Sequence, residues 1–168
     1  MRHPGRAICI LLAAVLGAGA ALAQEPPRAP APAVLVTGKV HAADSAKGFA
    51  LTAAVLEKLP QRSFTTNAPW TKAPQTYTGV LLRDLLAHLG ASGTQLQAIA
   101  HNDYASTTPV DDARQFDVIV AYKIDGQLIP VRDRGPLLIM YPFDAKPELQ
   151  HRRYYERAVW QLKTVNVQ

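Results

Sequence analysis

The sequence holds a single cysteine, Cys9, and it falls inside the first apolar run of the chain. From Ile10 to Gln168 no thiol is available, so a disulfide, a thiolate metal ligand or a cysteine nucleophile cannot be built there. Charge is also sparse. Eighteen Lys and Arg face 13 Asp and Glu, and the longest basic run is Arg152-Arg153, too little for a nucleic-acid footprint. The five histidines are scattered, with no H-E-x-x-H spacing, which argues against a histidine metal site. There is no G-x-S-x-G, no phosphate-binding P-loop and no dinucleotide fingerprint. Any redox or transfer chemistry must therefore come from a cofactor.

What is present divides the chain into three parts. Residues 1–23 carry Arg2 and Arg6, an apolar stretch and the close Ala21-Leu22-Ala23, the pattern of a secretory signal peptide. Its removal takes away two arginines and no acid, leaving a mildly basic chain of about +3. Residues 24–33 alternate alanine and proline around Arg28 and form an extended linker. Residues 34–168 then make one domain of roughly 135 residues, enough for a single sizeable core.

Within that domain, strands are expected at Val34–Val40, Ser63–Thr66, Leu96–Ala100, Asp117–Ile124, Gln127–Val131, Leu137–Tyr141 and Val159–Val167. Asp125-Gly126 is the two-residue turn of a hairpin. Thr52 caps a short helix ending before Pro60, and the leucines at 81, 82, 85, 86 and 89 share one helix face. Asp111-Asp112 reads as a helix start, and His151–Arg157 as a solvated segment or a contact face. Two polar loops stand at strand ends, His101-Asn102-Asp103-Tyr104 and Val131-Arg132-Asp133-Arg134-Gly135-Pro136. A buried strand that delivers a polar loop is a common way to line a pocket.

Tyr104, Pro109, Asp125-Gly126, Leu128, Pro130, Pro136 and Pro142, with Leu51–Pro60 and Tyr77–Leu86 upstream, resemble the molybdopterin-binding domain of the sulfite oxidase family. The resemblance covers most of residues 34–168. It implies an α+β fold, a mixed sheet or barrel with short helices. It also implies a cofactor-binding set made of Thr66, Asn67, Trp70, Asn102, Asp103, Tyr104, Arg132, Asp133 and Tyr141. In that family one cysteine gives molybdenum its protein thiolate; here its place falls near Thr66 or Asn67. A histidine and an arginine commonly used against the cofactor phosphate are replaced by Asp133 and Leu138. The resemblance therefore points to a pterin or molybdopterin-like ligand, with molybdenum disfavoured and no catalytic side chain assigned.

Three functions are open at this level. The chain is similar to periplasmic pterin-responsive proteins that regulate membrane-bound signalling enzymes, cyclic-di-GMP enzymes or histidine kinases; this is the leading expectation. The alternative is a molybdenum-cofactor oxidoreductase without the usual cysteine ligand. The third is an interaction domain with an empty pocket.

Overall fold

The computed structural model describes residues 33–41 and 47–168; the segments expected to be a signal peptide and, Ala33 apart, a linker lie outside them. Alternation organises the first sheet. In β1 (Val34–Gly38) the valines at 34 and 36 are buried while Leu35 faces out, and in β5 (Gln95–Ala100) Leu96, Ala98 and Ala100 point inward. β10 (Leu162–Val167) buries Leu162, Val165 and Val167; a shift of register between Leu162 and Thr164 accounts for the broken period. With β2 (Phe49–Leu51) and β6 (Ala105–Pro109) these strands form a sheet of order β2-β1-β10-β5-β6. β1 and β10 run parallel and the remaining pairs antiparallel.

The second sheet is built on β7 (Ile119–Ile124), where Ile119, Val120, Ala121 and Tyr122 are all buried. A continuous apolar run of this kind belongs to a strand covered on both faces. β4 (Gln75–Leu81) and then β3 (Arg62–Thr66) lie on one side of it, while β8 (Gln127–Leu128) and β9 (Leu138–Met140) share the other edge. The turn between β7 and β8 has positive φ at both Asp125 (49°) and Gly126 (79°), the backbone an Asp-Gly hairpin supplies. Residues of both sheets feed one apolar core.

Four short helices close the ends: α1 (Ala53–Leu56), α2 (Leu82–His88), α3 (Val110–Gln115) and α4 (Arg152–Arg157). Thr52 caps α1, its hydroxyl accepting from the Val55 amide at 3.3 Å. The α+β architecture expected from sequence is the one observed, with local differences: β2 is not among the expected strands, the strand expected at Gln127–Val131 is only Gln127–Leu128, and three further stretches differ. Gln75–Leu81, for which no strand is expected above, is β4, so the leucine helix begins at Leu82 and not at Leu81. At Gly79 a Cβ would lie 2.1 Å from the Val120 carbonyl oxygen, so this strand needs glycine to approach β7. The polar Ser106–Pro109 stretch is the edge strand β6, and the charged segment after His151 is helix α4.

Candidate functional site

One end of the first sheet gathers the loop between β5 and β6, the start of β10, and the loop between β8 and β9. Gln161 fastens them. It adopts a left-handed backbone (φ 50°), its amide nitrogen donates to the Arg134 carbonyl at 2.8 Å, and its own carbonyl accepts from the His101 amide at 2.9 Å. Its side-chain nitrogen donates to the carbonyls of Val131 (3.1 Å) and Asp133 (3.0 Å). The two polar loops thus meet through one residue. The β5–β6 loop is itself held by Asn102, whose Oδ1 accepts from the Tyr104 amide at 3.2 Å, with Asp103 in the left-handed region that Asp tolerates.

Between these loops, the Trp70 loop and α4 lies a cleft of about 580 Å³, a volume suited to a small organic ligand. Trp70 and Trp160 form its wall, stacked with ring centroids 5.4 Å apart and planes 28° off parallel. Trp70 rests edge-on against buried Phe143 at 6.0 Å, and Phe143 meets Tyr155 at 4.9 Å, so the wall continues into the core. Polar groups mark the rim. They include Asn102, Asp133, Gln161 and Arg152, whose guanidinium is 2.6 Å from Glu156. The Tyr104 hydroxyl donates to the Glu156 carbonyl at 2.8 Å, tying the β5–β6 loop to α4.

Of the residues singled out from sequence, Trp70, Asn102, Tyr104 and Asp133 line this one cleft. The others stand elsewhere. Asp103 points to Lys163, 3.4 Å away, and exposed Arg132 is not among the lining residues. Tyr141 is a correction, for its side chain is fully buried and cannot present a face to a ligand. Its ring lies behind the wall, 6.0 Å from Phe143, and its hydroxyl donates to Asp112 at 2.7 Å. Burial, reinforced by that carboxylate, pushes the Tyr141 phenol far above its ordinary range.

Thr66 and Asn67 are also engaged away from the cleft. The Thr66 hydroxyl accepts from the Asp144 amide at 3.0 Å, and both the backbone and side-chain nitrogens of Asn67 donate to the Asp144 carboxylate, at 2.7 and 3.0 Å. This corner ties the end of β3 to the turn after β9. Sequence reasoning did not place Trp160, Tyr155, Arg152, Glu156 and Gln161 in the site; they come from the segment read as solvated or as a contact face and from the start of the last strand. The signal available was the run of aromatic residues Tyr154, Tyr155 and Trp160 in an otherwise charged stretch.

Comparison with known proteins agrees with this architecture. The family model described as "Oxidoreductase molybdopterin binding domain" matches residues 52–144. No curated protein matches the chain. Among solved structures, the sulfane dehydrogenase SoxCD from Paracoccus pantotrophus superposes with a TM-score of 0.61 at 18% identity. The match covers 81% of this chain and 38% of that one, so the fold is shared while this chain spans well under half of the other. The matched family span contains Trp70, Asn102, Tyr104 and Asp133; the α4 and Trp160 side of the cleft lies beyond it.

Proposed function

Because the chain belongs to the oxidoreductase molybdopterin-binding domain family, we propose that the cleft holds a pterin of the molybdopterin class against its indole wall. The cleft's chemistry carries this reading. A pterin needs a flat aromatic surface and donors and acceptors along one edge, and the groups left over from internal bonding supply them. Asn102 keeps its side-chain nitrogen as a donor, Gln161 keeps its side-chain oxygen as an acceptor, and Asp133, although 3.6 Å from the Arg134 guanidinium, offers a carboxylate that is 57% exposed. A carboxylate can accept two adjacent N–H groups of an aminopyrimidinone.

The pterin fits; a protein ligand for its metal does not. Among the described residues there is no thiol, and the Thr66 hydroxyl and Asn67 amide are bonded within their corner and do not line the cleft. Hydroxyl and amide groups are poor substitutes for a soft thiolate. Molybdenum would have to be held by the cofactor's own sulfur. The lining cation, Arg152, is paired with Glu156, which leaves little to neutralise a phosphate tail.

The matched family is one of oxidoreductase domains and the solved relative is a dehydrogenase, and together they support a molybdenum-cofactor oxidoreductase more than a sensor. In that reading the pterin complex supplies the electron chemistry, while Tyr104 and the indoles shape and dry the pocket. The bonded Thr66–Asn67 corner favours a second reading, a non-catalytic pterin-responsive module. Residues 1–23 support its placement in the periplasm. Its occupancy would there alter the surface offered to a membrane-bound cyclic-di-GMP enzyme or histidine kinase.

The deciding experiment uses the full chain expressed in a host able to make molybdenum cofactor, assayed together for molybdenum and for pterin fluorescence after oxidation. Molybdenum and pterin in near-equal amounts establish the first reading, and pterin without metal the second. Absence of both, together with no heat on titration with a tetrahydropterin, overturns the cleft assignment.

A further inference from the structure

The cleft has the features of a polyproline groove as well as those of a pterin pocket. Trp70, Trp160, Tyr104 and Tyr155 line it, with Trp160 and Tyr104 each 40% exposed, so a large aromatic surface is left uncovered. Two acids, Asp133 and Glu156, stand at its rim, each beside an arginine of its own, Arg134 at 3.6 Å and Arg152 at 2.6 Å, and each at least half exposed, so an incoming arginine would share or exchange those pairings. Aromatic grooves with nearby acids recognise P-x-x-P segments carrying an arginine, because proline rings stack on the aromatics and the segment loses little entropy on docking.

Such a segment belongs to this chain. Residues 24–32 read Gln-Glu-Pro-Pro-Arg-Ala-Pro-Ala-Pro, with Pro27-Arg28-Ala29-Pro30 as the P-x-x-P unit. In a polyproline helix, with three residues per turn, Pro27 and Pro30 would share one edge and Pro26 and Pro32 the next, leaving Arg28 on the third. The register of the first sheet puts Val34, two residues after this segment, near the cleft. Leu35 is the partner of Thr164 in the parallel β1–β10 pair, so Val34 enters the sheet beside Lys163, one strand away from Gln161 and Trp160. Nine residues at about 3.1 Å each reach roughly 28 Å, and the cleft-lining Trp160 and Gln161 directly precede the strand beside which Val34 enters.

We propose that the aromatic cleft binds the chain's own proline-rich segment, Gln24–Pro32, with the prolines on Trp70, Trp160 and Tyr104 and Arg28 toward Glu156 and Asp133. Tethering makes the contact effective. A short linker gives an effective concentration in the millimolar range, so a segment whose free peptide binds with Kd near 1 mM is about half docked in the intact chain. A ligand entering the cleft would have to displace the segment, which makes the segment a built-in competitor.

Trp70 and Trp160 are the chain's two tryptophans, so intrinsic fluorescence reads the cleft alone, with no pterin present and independently of whether one binds. In the full chain, Pro26, Pro27, Pro30 and Pro32 are replaced together by serine, with far-ultraviolet circular dichroism confirming the fold. Undocking uncovers the indoles. The acrylamide quenching constant should then rise about twofold with a red shift of emission, and Arg28→Glu should give part of the same change. A synthetic peptide of residues 24–33, added at millimolar concentration, should return the proline-free variant to the wild-type value. Equal quenching in wild type and variant overturns the proposal whatever the peptide does. A rise that the peptide fails to reverse overturns the assignment of the cleft as its binding site.

Discussion

Asp112 shows how far a single residue departs from its sequence pattern. It sits in the first turn of α3, where an acid favours the helix, yet its carboxylate is turned inward. There it accepts from the Tyr141 hydroxyl and, at 2.8 Å, from Arg157 on α4. Helix-start chemistry was legible; the inward partners were not, because they come from residues 29 and 45 positions away. Asp112→Ala leaves a guanidinium and a phenol without their acceptor and should destabilise the fold by about 3 kcal/mol in denaturant unfolding. Among the described residues the neighbouring, buried Thr108 hydroxyl makes no hydrogen bond of good geometry, although it stands close enough to the Tyr141 phenol to oppose the rise in its pKa, so Thr108→Val should change stability by no more than about 1 kcal/mol. Asp117 behaves oppositely to Tyr141. The hydrogen bond from Arg83, helped by the charges of Arg83 and Arg62, holds its carboxyl below the usual range despite some burial. Its stabilising contribution is therefore complete above the ordinary aspartate pKa and fades as pH falls through the lowered value. Because the group is partly exposed, Asp117→Asn should remove no more than about 1 kcal/mol at neutral pH, with the gap from wild type closing in acid unfolding curves.

At the scale of elements, the buried strands and the leucine helix were readable because their periods are plain. β6 was not. Its Ser-Thr-Thr-Pro composition has no apolar stripe, and it is held as an edge strand by pairing with β5. α4 was hidden because it packs through aromatic side chains set among arginines: Tyr154 against Phe116 and Tyr141, and Tyr155 against Phe143. The cleft inherits this split, with one side on loops that the sequence marks by polar clusters and the other on a helix that it does not. Gln161 joins the sides, and its role follows from backbone bonds that no residue pattern announces. Gln161→Ala removes the side-chain bonds to Val131 and Asp133 and should cost about 1–2 kcal/mol of stability. Pterin affinity should fall with it, and calorimetry on the same samples separates the two effects.

For the whole molecule, the α+β class and the family resemblance were legible from ordered turn and apolar positions, while the division into two sheets was not, since pairing between distant strands leaves no local mark. Two of the buried phenols, Tyr77 and Tyr141, give the molecule a common alkaline limit. Burial raises the pKa of Tyr77 against the opposing effect of Arg134, and raises that of Tyr141 further. Both favour the folded state while neutral, and that preference is lost as pH rises beyond the ordinary tyrosine value of about 10. A spectrophotometric titration should accordingly show their ionisation only together with the loss of near-ultraviolet circular dichroism.

The position of β10 has a consequence for the time course of folding. This last strand lies between β1 and β5, joining β2-β1 to β5-β6. Before it arrives the first sheet is two separate antiparallel pairs with open edges, and its closure is a contact between the two ends of the described chain. Such long-range closure is slow and comes late. A nascent chain therefore cannot complete this sheet before Leu162–Val167 is synthesised, and because Trp160 and Gln161 immediately precede the same strand, a product cut short before them lacks one wall of the cleft as well as the sheet.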